Sequence, residues 1–436
     1  MYTAVHRLNC TMTTRMDLSI LLLTLNEAGN IGPLVSDLSR ICKQTGILFE
    51  IIVVDGGSTD NTCSEAKEAG AIVYQQKRPG YGGAFREGIT YCSGNYIATL
   101  DADRSHPPEM LVQLWQNRKK ADLIVGSRFI AGGASEASEF RKTLSSILNL
   151  TFSKALSIPI KDISSGYRLY RREILSPDVY TSENFNILQE VLVRAYTDGY
   201  TICEIPLKYQ QRESGVSKVN YPKFLCSYLG TLYRLWKLRN SIESADYDYR
   251  AYYSKIPLQR YWQRKRYAIV NSFLDKSRPV LDIGCGSSKI IQDHPEAVAM
   301  DILMRKLRFL RKTNSKLVCA STFKLPFKSE SFSQISHSQV IEHIPFDIKI
   351  FSELNRVMKP NGNLVIGTPD YGRIWWPIIE YFYARLLPNA YADEHITHYT
   401  RQSLIDTLAD SGFKTLDYRY ICGGELIVKA KKVERC

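Results

Sequence analysis

No apolar run in this chain approaches the ~20 residues that a bilayer-spanning helix needs. The strongest runs, Ile20–Leu25 and Ile51–Val54, have the length of strands, so a membrane-spanning architecture is not expected. The ten cysteines include no C-x-x-C pair, which argues against both a zinc site and a disulfide framework. A reduced, cytosolic compartment is the simpler expectation. Residues Met1 to Asp17 lack an apolar core followed by small residues, so no signal peptide is expected. Residues 1–16 read as a loose N-terminal extension, with Met12 and Met16 as alternative starts. On a reduced protein the Asn-x-Thr matches at Asn9 and Asn149 are chance. No internal repeat is visible.

The balance that is present is globular and basic. Hydrophobic residues make up 44% and charged residues 23%, which argues against disorder, collagen and coiled coil. At roughly 150 residues per domain, 436 residues suggest two or three domains. Lys+Arg 57 against Asp+Glu 44 leaves a net charge of +13, which favours anionic partners such as phosphates, an acidic membrane face or nucleic acid. No RNA-binding module signature accompanies that charge, so no nucleic acid partner is expected.

Two segments each open with an apolar strand that runs into a turn rich in Gly and Asp. From about Met16 to Arg239, β-rich runs (SILLLTL, FEIIVVD, AIVYQQ, NYIATLD, ADLIVGS) alternate with helix-like stretches such as Ile31–Gln44 and Pro108–Lys120. That alternation indicates βαβ units and a mostly parallel sheet. From about Gln259 to Lys432 the pattern returns in PVLDIGCG, AVAMD, QISHSQV and GNLVIGT. Between them NSIESADYDYRAYYSK is polar and Tyr-rich, without strand periodicity. The expected division is 17–240, a linker at 241–258, and 259–436.

In the first segment, NYIATLDADRSHPP places Asp101 and Asp103 where an apolar strand ends, which is where open α/β sheets bind ligands. Two carboxylates there suit Mg²⁺ or Mn²⁺ carrying a substrate phosphate; the alternative is a solvated turn or helix cap. VVDGGSTDNT (Asp55, Ser58, Asp60), RPGYGGAFREG, GSRF, DISSGYRLY and QQRESGVSK supply further Gly-rich and basic elements. Together they suggest a pocket for a diphosphate and a second phosphate.

The order LNEAGN, VVDGGSTD, GYGGA, LDADRSHPP, GSRF, SSGYRLY and GVSK, over about Ser19 to Arg239, resembles family 2 glycosyltransferases of the dolichol-phosphate mannose synthase type. The resemblance implies a GT-A fold, a nucleotide sugar donor (GDP-mannose or UDP-glucose) and a polyprenyl phosphate acceptor. It implies Asp101 and Asp103 as metal ligands, with Ser105 beside them. Glu27, Asp55, Gly82, Gly83 and Ser217 fall in its substrate-binding set, Asp55 at the base. Asp103, Arg128, Arg168, Arg212 and Lys218 fall in its catalytic and phosphate-cradling set. The processive-synthase motif Q-x-x-R-W is missing, which argues against polysaccharide synthesis.

Directly after GVSK, YPKFLCSYLGTLYRLWKLR repeats Leu225, Tyr228, Leu229, Leu232, Leu235 and Trp236 at helical spacing, interleaved with Lys223, Arg234, Lys237 and Arg239. Such a helix suits an anionic, cytoplasmic membrane face; the alternative is a helix packed on its own domain.

In the second segment VLDIGCGSS puts Asp282, Gly284 and Gly286 at a strand-to-helix turn, and Asp301 ends the next strand. The spacing is near the ~20 residues of a ribose-binding acid. A Gly-rich turn alone also serves NAD, but D-x-G-x-G on the strand itself favours S-adenosylmethionine. With FKLPFKSESFSQISHSQVIEHI and ELNRVMKPNGNLVIGTP, the stretch Tyr261 to Lys432 resembles class I methyltransferases of the type 11 group, with a Rossmann-like fold. That implies Asp282, Gly284 and Gly286 on the methionine side, Asp301 at the ribose, Ser321 near the adenine, and Gln339 after the fourth strand. His343, His395 and His398 are the candidate bases for methyl transfer.

The expected whole is an α/β chain: a GT-A domain followed by a Rossmann-like methyltransferase domain, cytoplasmic and peripheral at a membrane. Competing readings are a glycosyltransferase with a non-lipid acceptor, a basic RNA-modifying methyltransferase, and a membrane-docked scaffold with one inactive domain.

Overall fold

A computed structural model describes residues 16–210, 221–386 and 395–433. The expected N-terminal extension lies outside them except for Met16, and so do Arg212, Ser217 and Lys218. The chain divides into two compact units: Met1–Tyr196 with Tyr200–Leu235, and Thr197–Gly199 with Trp236–Cys436.

The first unit is built on β1 (Leu18–Thr24), β2 (Phe49–Asp55), β3 (Ile72–Gln75), β4 (Tyr96–Asp101), β5 (Leu123–Ser127), β7 (Arg168–Arg171) and β8 (Ile202–Pro206). Two-residue strands β6 (Ala134–Ser135) and β9 (Lys208–Tyr209) pair separately. The seven-stranded order is β3-β2-β1-β4-β7-β5-β8. β1 is apolar almost throughout and buried along nearly its whole length, as a central parallel strand covered on both faces must be. The helix Ile31–Gln44 buries Ile31, Leu34, Val35, Leu38, Ile41 and Cys42, one face at 3.6-residue spacing. These residues (Ile41 aside) join Leu22, Val53 and Leu100 in one core cluster.

All five strands read from periodicity in this segment are present. β7 and β8 escaped that reading. β7, Arg-Leu-Tyr-Arg, runs antiparallel to both β4 and β5, and its charged ends hide the alternation that marks a strand.

The second unit contains β10 (Leu281–Ile283), β11 (Val298–Asp301), β12 (Leu317–Cys319), β13 (Phe332–Ser338), β14 (Met358–Pro369), β15 (Phe413–Ile421) and β16 (Glu425–Lys432). Their order is β12-β11-β10-β13-β14-β16-β15. β10 to β14 pair in parallel, whereas β16 is antiparallel to both β14 and β15. Two apolar clusters form its core, one around Phe351, Leu354 and Ile366, the other around Val270, Ile291 and Ile427.

The stretch 241–258, expected as a linker, is instead ordered in this unit. It carries the helix Tyr247–Tyr252 and the start of the helix Pro257–Phe273. A buried ion pair anchors it: the Arg239 guanidinium, fully enclosed, donates to both Asp246 oxygens at 2.7 and 2.9 Å. One buried pair and the enclosed Tyr247 order a polar segment that has no periodicity to read. The pair also removes Arg239 from the expected membrane-facing set. Tyr228 and Leu235 likewise point inward on the same helix, Tyr221–Asn240, while Leu229 and Tyr233 stay exposed.

Burial raises the Asp246 pKa, but the Arg239 guanidinium outweighs it and holds the carboxyl well below the usual range. Stability from this pair is therefore present above the ordinary carboxylate pKa of ~3.9 and lost as pH falls below it. Arg239→Leu is expected to cost about 3–5 kcal/mol at pH 7, because it leaves a buried charge without its main partner. Thermal denaturation of wild type and variant should show that gap narrowing between pH 5 and pH 2. A constant gap would refute the ion-pair account.

Candidate active sites

Sheet register brings the first site together. β1 lies between two parallel neighbours, with Thr24 opposite Asp55 and Leu23 opposite Asp101. The loops leaving β1, β2 and β4 therefore emerge at one carboxyl edge. Arg128 follows β5 at that same edge, and Arg168 starts β7 there.

Asp55 is fully buried and shapes its own turn. It accepts from Thr24 Oγ1 (3.1 Å), Ser58 Oγ (2.5 Å) and the Ser58 and Gly57 amides (2.8 and 3.0 Å). Burial raises its pKa, but these hydrogen bonds hold it below the ordinary range. As placed, its carboxylate shapes the loop instead of presenting itself to a nucleotide base. Glu27 sits in the facing loop, which is tied to this one: Asn26 Oδ1 accepts from the Thr59 amide (2.8 Å), and the Glu27 amide donates to Thr62 Oγ1 (2.8 Å).

Asp101 and Asp103 lie at the end of β4. Asp101 is one-third exposed at its side chain, and Asp103 is buried. The Asp101 amide donates to His106 Nδ1 at 3.0 Å. Burial lowers the His106 pKa, so the imidazole is neutral and accepts at that nitrogen. Ser105 donates to Asp103 Oδ1 through its amide (3.1 Å) and hydroxyl (2.6 Å). A Cβ on Gly166 would stand 3.1 Å from Asp101 Oδ1, so glycine there keeps the carboxylate's surroundings open. Two hard carboxylates beside such a space fit Mg²⁺ or Mn²⁺.

The arginines and glycines depart from expectation. Arg168 is fully enclosed and donates to the Ile163 and Leu188 carbonyls at 2.6 and 2.7 Å. It starts a strand in the middle of the sheet, so its side chain enters the core and cannot cradle a phosphate. Arg128 makes a bidentate pair with buried Asp162, both contacts at 2.8 Å, and reaches Ser164 Oγ at 2.8 Å. Its charge is already neutralised. Gly82 and Gly83 open the helix Gly80–Tyr91; a Cβ would meet the Ser182 carbonyl oxygen at 2.1 Å and that of Arg78 at 2.4 Å. Close backbone packing requires both glycines, so neither is a signal of ligand contact.

In the second unit a cavity of about 450 Å³ falls within the size range of small-molecule sites. Asp282, Gly284, Gly286, Gln339 and His395 line it, with Asp248, Trp262, Arg266 and Trp376. Gly284 and Gly286 have φ of +67° and +52°, and a Cβ on Gly286 would meet Asp248 Oδ2 at 2.4 Å. Asp301 accepts from the Gly286 and Leu303 amides at 2.9 and 2.8 Å, which fixes the turn. Ser321 is not among the lining residues; its hydroxyl accepts from the Phe323 amide (3.3 Å), a local turn beyond the edge-side strand β12. Asp248 was missed because it lies in the stretch read as linker. Arg266 was missed because nothing at sequence level shows its pairing with buried Glu425 at 2.6 and 2.7 Å.

Burial pushes the Asp282 carboxyl up to about 7, with Asp301 and Asp248 adding to the effect. Among the candidate bases, His395 lines the cavity, and burial pushes it down to about 4. His343 packs beside it with ring centroids 5.0 Å apart, and His398 stacks on Tyr371.

The family model described as glycosyl transferase family 2 matches residues 19–177. Over 216 residues the chain is 31% identical to a polyprenol monophosphomannose synthase of Mycolicibacterium smegmatis, covering 46% of this chain and 80% of that protein. The chain belongs to the family 2 glycosyltransferases. A methyltransferase domain model matches residues 255–418, so the chain is an enzyme with a glycosyltransferase unit and a methyltransferase unit. A dolichol-phosphate mannosyltransferase of Pyrococcus furiosus is 30% identical over 238 residues, covering 52% of this chain and 66% of that protein. Among solved structures, a glucosyl-3-phosphoglycerate synthase of Mycobacterium tuberculosis matches with TM-score 0.42 and 20% identity, covering 51% of this chain and 80% of its own.

The raised Asp282 pKa has a measurable sign. Its contribution to stability is complete below ~3.9 and is lost as pH rises through about 7. Asp282→Asn removes that dependence. Between pH 5 and pH 8 the melting temperature of wild type should therefore fall relative to the variant; parallel curves would refute the shift.

Proposed function

We propose that the glycosyltransferase unit transfers a hexose from GDP-mannose or UDP-glucose to a polyprenyl phosphate, with inversion at the anomeric carbon. We also propose that the methyltransferase unit uses S-adenosylmethionine. The observation that carries the first part is the Asp101–Asp103 pair at the carboxyl edge of β4, in a segment similar to polyprenol and dolichol phosphate mannose synthases.

The acceptor needs no protein base. A phosphomonoester has its second pKa near ~6, so it is largely dianionic at neutral pH. Its oxygen attacks the anomeric carbon as the bond to the nucleotide diphosphate breaks, and the diphosphate leaves with the electron pair. Asp101 and Asp103 would hold Mg²⁺ or Mn²⁺, which supplies charge neutralisation for that leaving group. The loops joined through Asn26, Asp55 and Ser58 fix the edge against which donor and acceptor are oriented. A polyprenyl acceptor stays in its bilayer, so this reading puts the protein at a cytoplasmic membrane face as a peripheral enzyme. No described helix is long and apolar enough to cross a membrane.

For the methyltransferase unit, the proposal rests on a cavity with Asp282 and two positive-φ glycines at its strand-to-helix turn. Fusion to a sugar transferase favours a sugar hydroxyl or lipid-linked glycan as methyl acceptor.

The two units are tested by opposite losses. Full-length protein should move labelled sugar from one of the two donors to isoprenyl phosphate. Asp103→Ala should reduce that transfer at least ~100-fold, while the thermal shift with S-adenosylmethionine is retained. Gly286→Ala should do the reverse, because the new Cβ displaces Asp248 from the turn. Wild-type transfer in Asp103→Ala sinks the metal assignment, and transfer only to non-lipid acceptors sinks the acceptor.

A further inference from the structure

Beside the methyl-donor cavity, Glu342, His343 and His395 each offer a ligand atom, and the three atoms lie within 4.8 Å of one another. Glu342 is fully buried, and neither oxygen of its carboxylate has a hydrogen-bond partner. Thr368 Oγ1 and the Tyr399 hydroxyl are also buried without one. Orphaned buried polar atoms are rare in native proteins and call for an ion, a water or a functional role. His395 is held from behind: its Nδ1 lies 3.1 Å from Glu380 Oε1 and 2.8 Å from the Tyr371 hydroxyl. A carboxylate on one imidazole nitrogen orients the other as a metal ligand.

We propose that Glu342, His343 and His395 form a divalent-cation site of the zinc class at the wall of the methyl-donor cavity. One carboxylate oxygen with two imidazole nitrogens is a borderline donor set, suited to Zn²⁺, Mn²⁺ or Fe²⁺ and poorly suited to Ca²⁺ or Mg²⁺. Ligand bonds of ~2.1 Å put tetrahedral donors about 3.4 Å apart, so binding draws the three side chains together by ~1 Å. Three protein ligands leave a fourth position open, as in catalytic zinc sites. His395 both belongs to the triad and lines the cavity, so the open position faces a molecule bound there.

The role of the cation rests on the methyl-transfer reading above. An acceptor hydroxyl bound at the open position loses its proton to solvent more readily. Its oxygen then forms a bond to the methyl carbon as the carbon–sulfur bond of the sulfonium breaks, leaving the neutral thioether. This gives the cavity a means of activating a hydroxyl although His395 is itself held by Glu380 and Tyr371.

The test separates the cation from the chemistry. Full-length protein carrying Asp103→Ala, so that the glycosyltransferase unit contributes no metal, is stripped with a chelator and titrated with ZnCl₂ and with MnCl₂ by calorimetry. One cation per chain is expected without any methyl donor present. Glu342→Gln and His343→Gln should each weaken binding at least ~100-fold, and Glu380→Gln by roughly 10–100-fold. S-adenosylmethionine should still shift the melting temperature of Glu342→Gln, which shows that the variant is folded and its cavity intact. No cation uptake, or uptake unchanged in all three variants, overturns the site. Cation uptake with no response to S-adenosylmethionine in the parent protein overturns the methyl-donor reading instead and leaves the site standing.

Discussion

The glycosyltransferase unit depends on a single constraint: β1 is hydrogen-bonded in parallel to β2 on one side and β4 on the other. Because parallel strands present their carboxyl ends on one edge, Asp55 and Asp101 flank β1 although 46 residues separate them in the chain. The apolar run Leu18–Thr24, buried along nearly its whole length, keeps β1 in the middle of the sheet between those two neighbours. The knitted loops and the Asp101–Asp103 pair all take their positions from it.

The methyltransferase unit has the same logic with a different electrostatic problem. Its turn gathers Asp248, Asp282 and Asp301 where burial and mutual repulsion disfavour ionisation. Neighbours offset part of this: Lys306 Nζ lies 3.2 Å from Asp248, and Asp301 takes two backbone amides. Asp282 has no comparable support, and its carboxyl is the one pushed up to about 7. A buried acid of this kind at a cavity wall is a common mark of a working site. Glu342 carries the same mark a few residues beyond β13, with burial pushing it up to about 8.

Arginine is where a linear reading goes furthest astray. Arg128, Arg168, Arg234 and Arg239 all look like surface charge for phosphates or lipid headgroups. In the folded chain Arg168 ties two carbonyls inside the sheet, and Arg239 closes a buried pair with Asp246. Arg128 is matched by Asp162, whereas Arg234 stays at the surface, 42% exposed at its side chain, while reaching Ser182 Oγ (2.9 Å) and Glu190 (3.5 Å). A guanidinium with five donors in a fork can satisfy buried carbonyls as readily as phosphates. Charge alone does not say which.

By itself the sequence determined the two α/β units, most of the parallel strands of each core, the helix Ile31–Gln44 and the carboxylates Asp101, Asp103 and Asp282 at or beside strand ends. Those features are written in local periodicity and in apolar runs that stop at Gly and Asp, so nearest neighbours suffice to read them. The tertiary structure alone decided what depends on partners distant in the chain. It set the antiparallel insertion of β7, the folding of 241–258 into the second unit, and the reassignment of Gly82 and Gly83 to backbone packing. It also brought Glu342 and His343 to His395, across 52 residues. Burial and pairing are properties of three-dimensional neighbours, and no spacing along the chain encodes them.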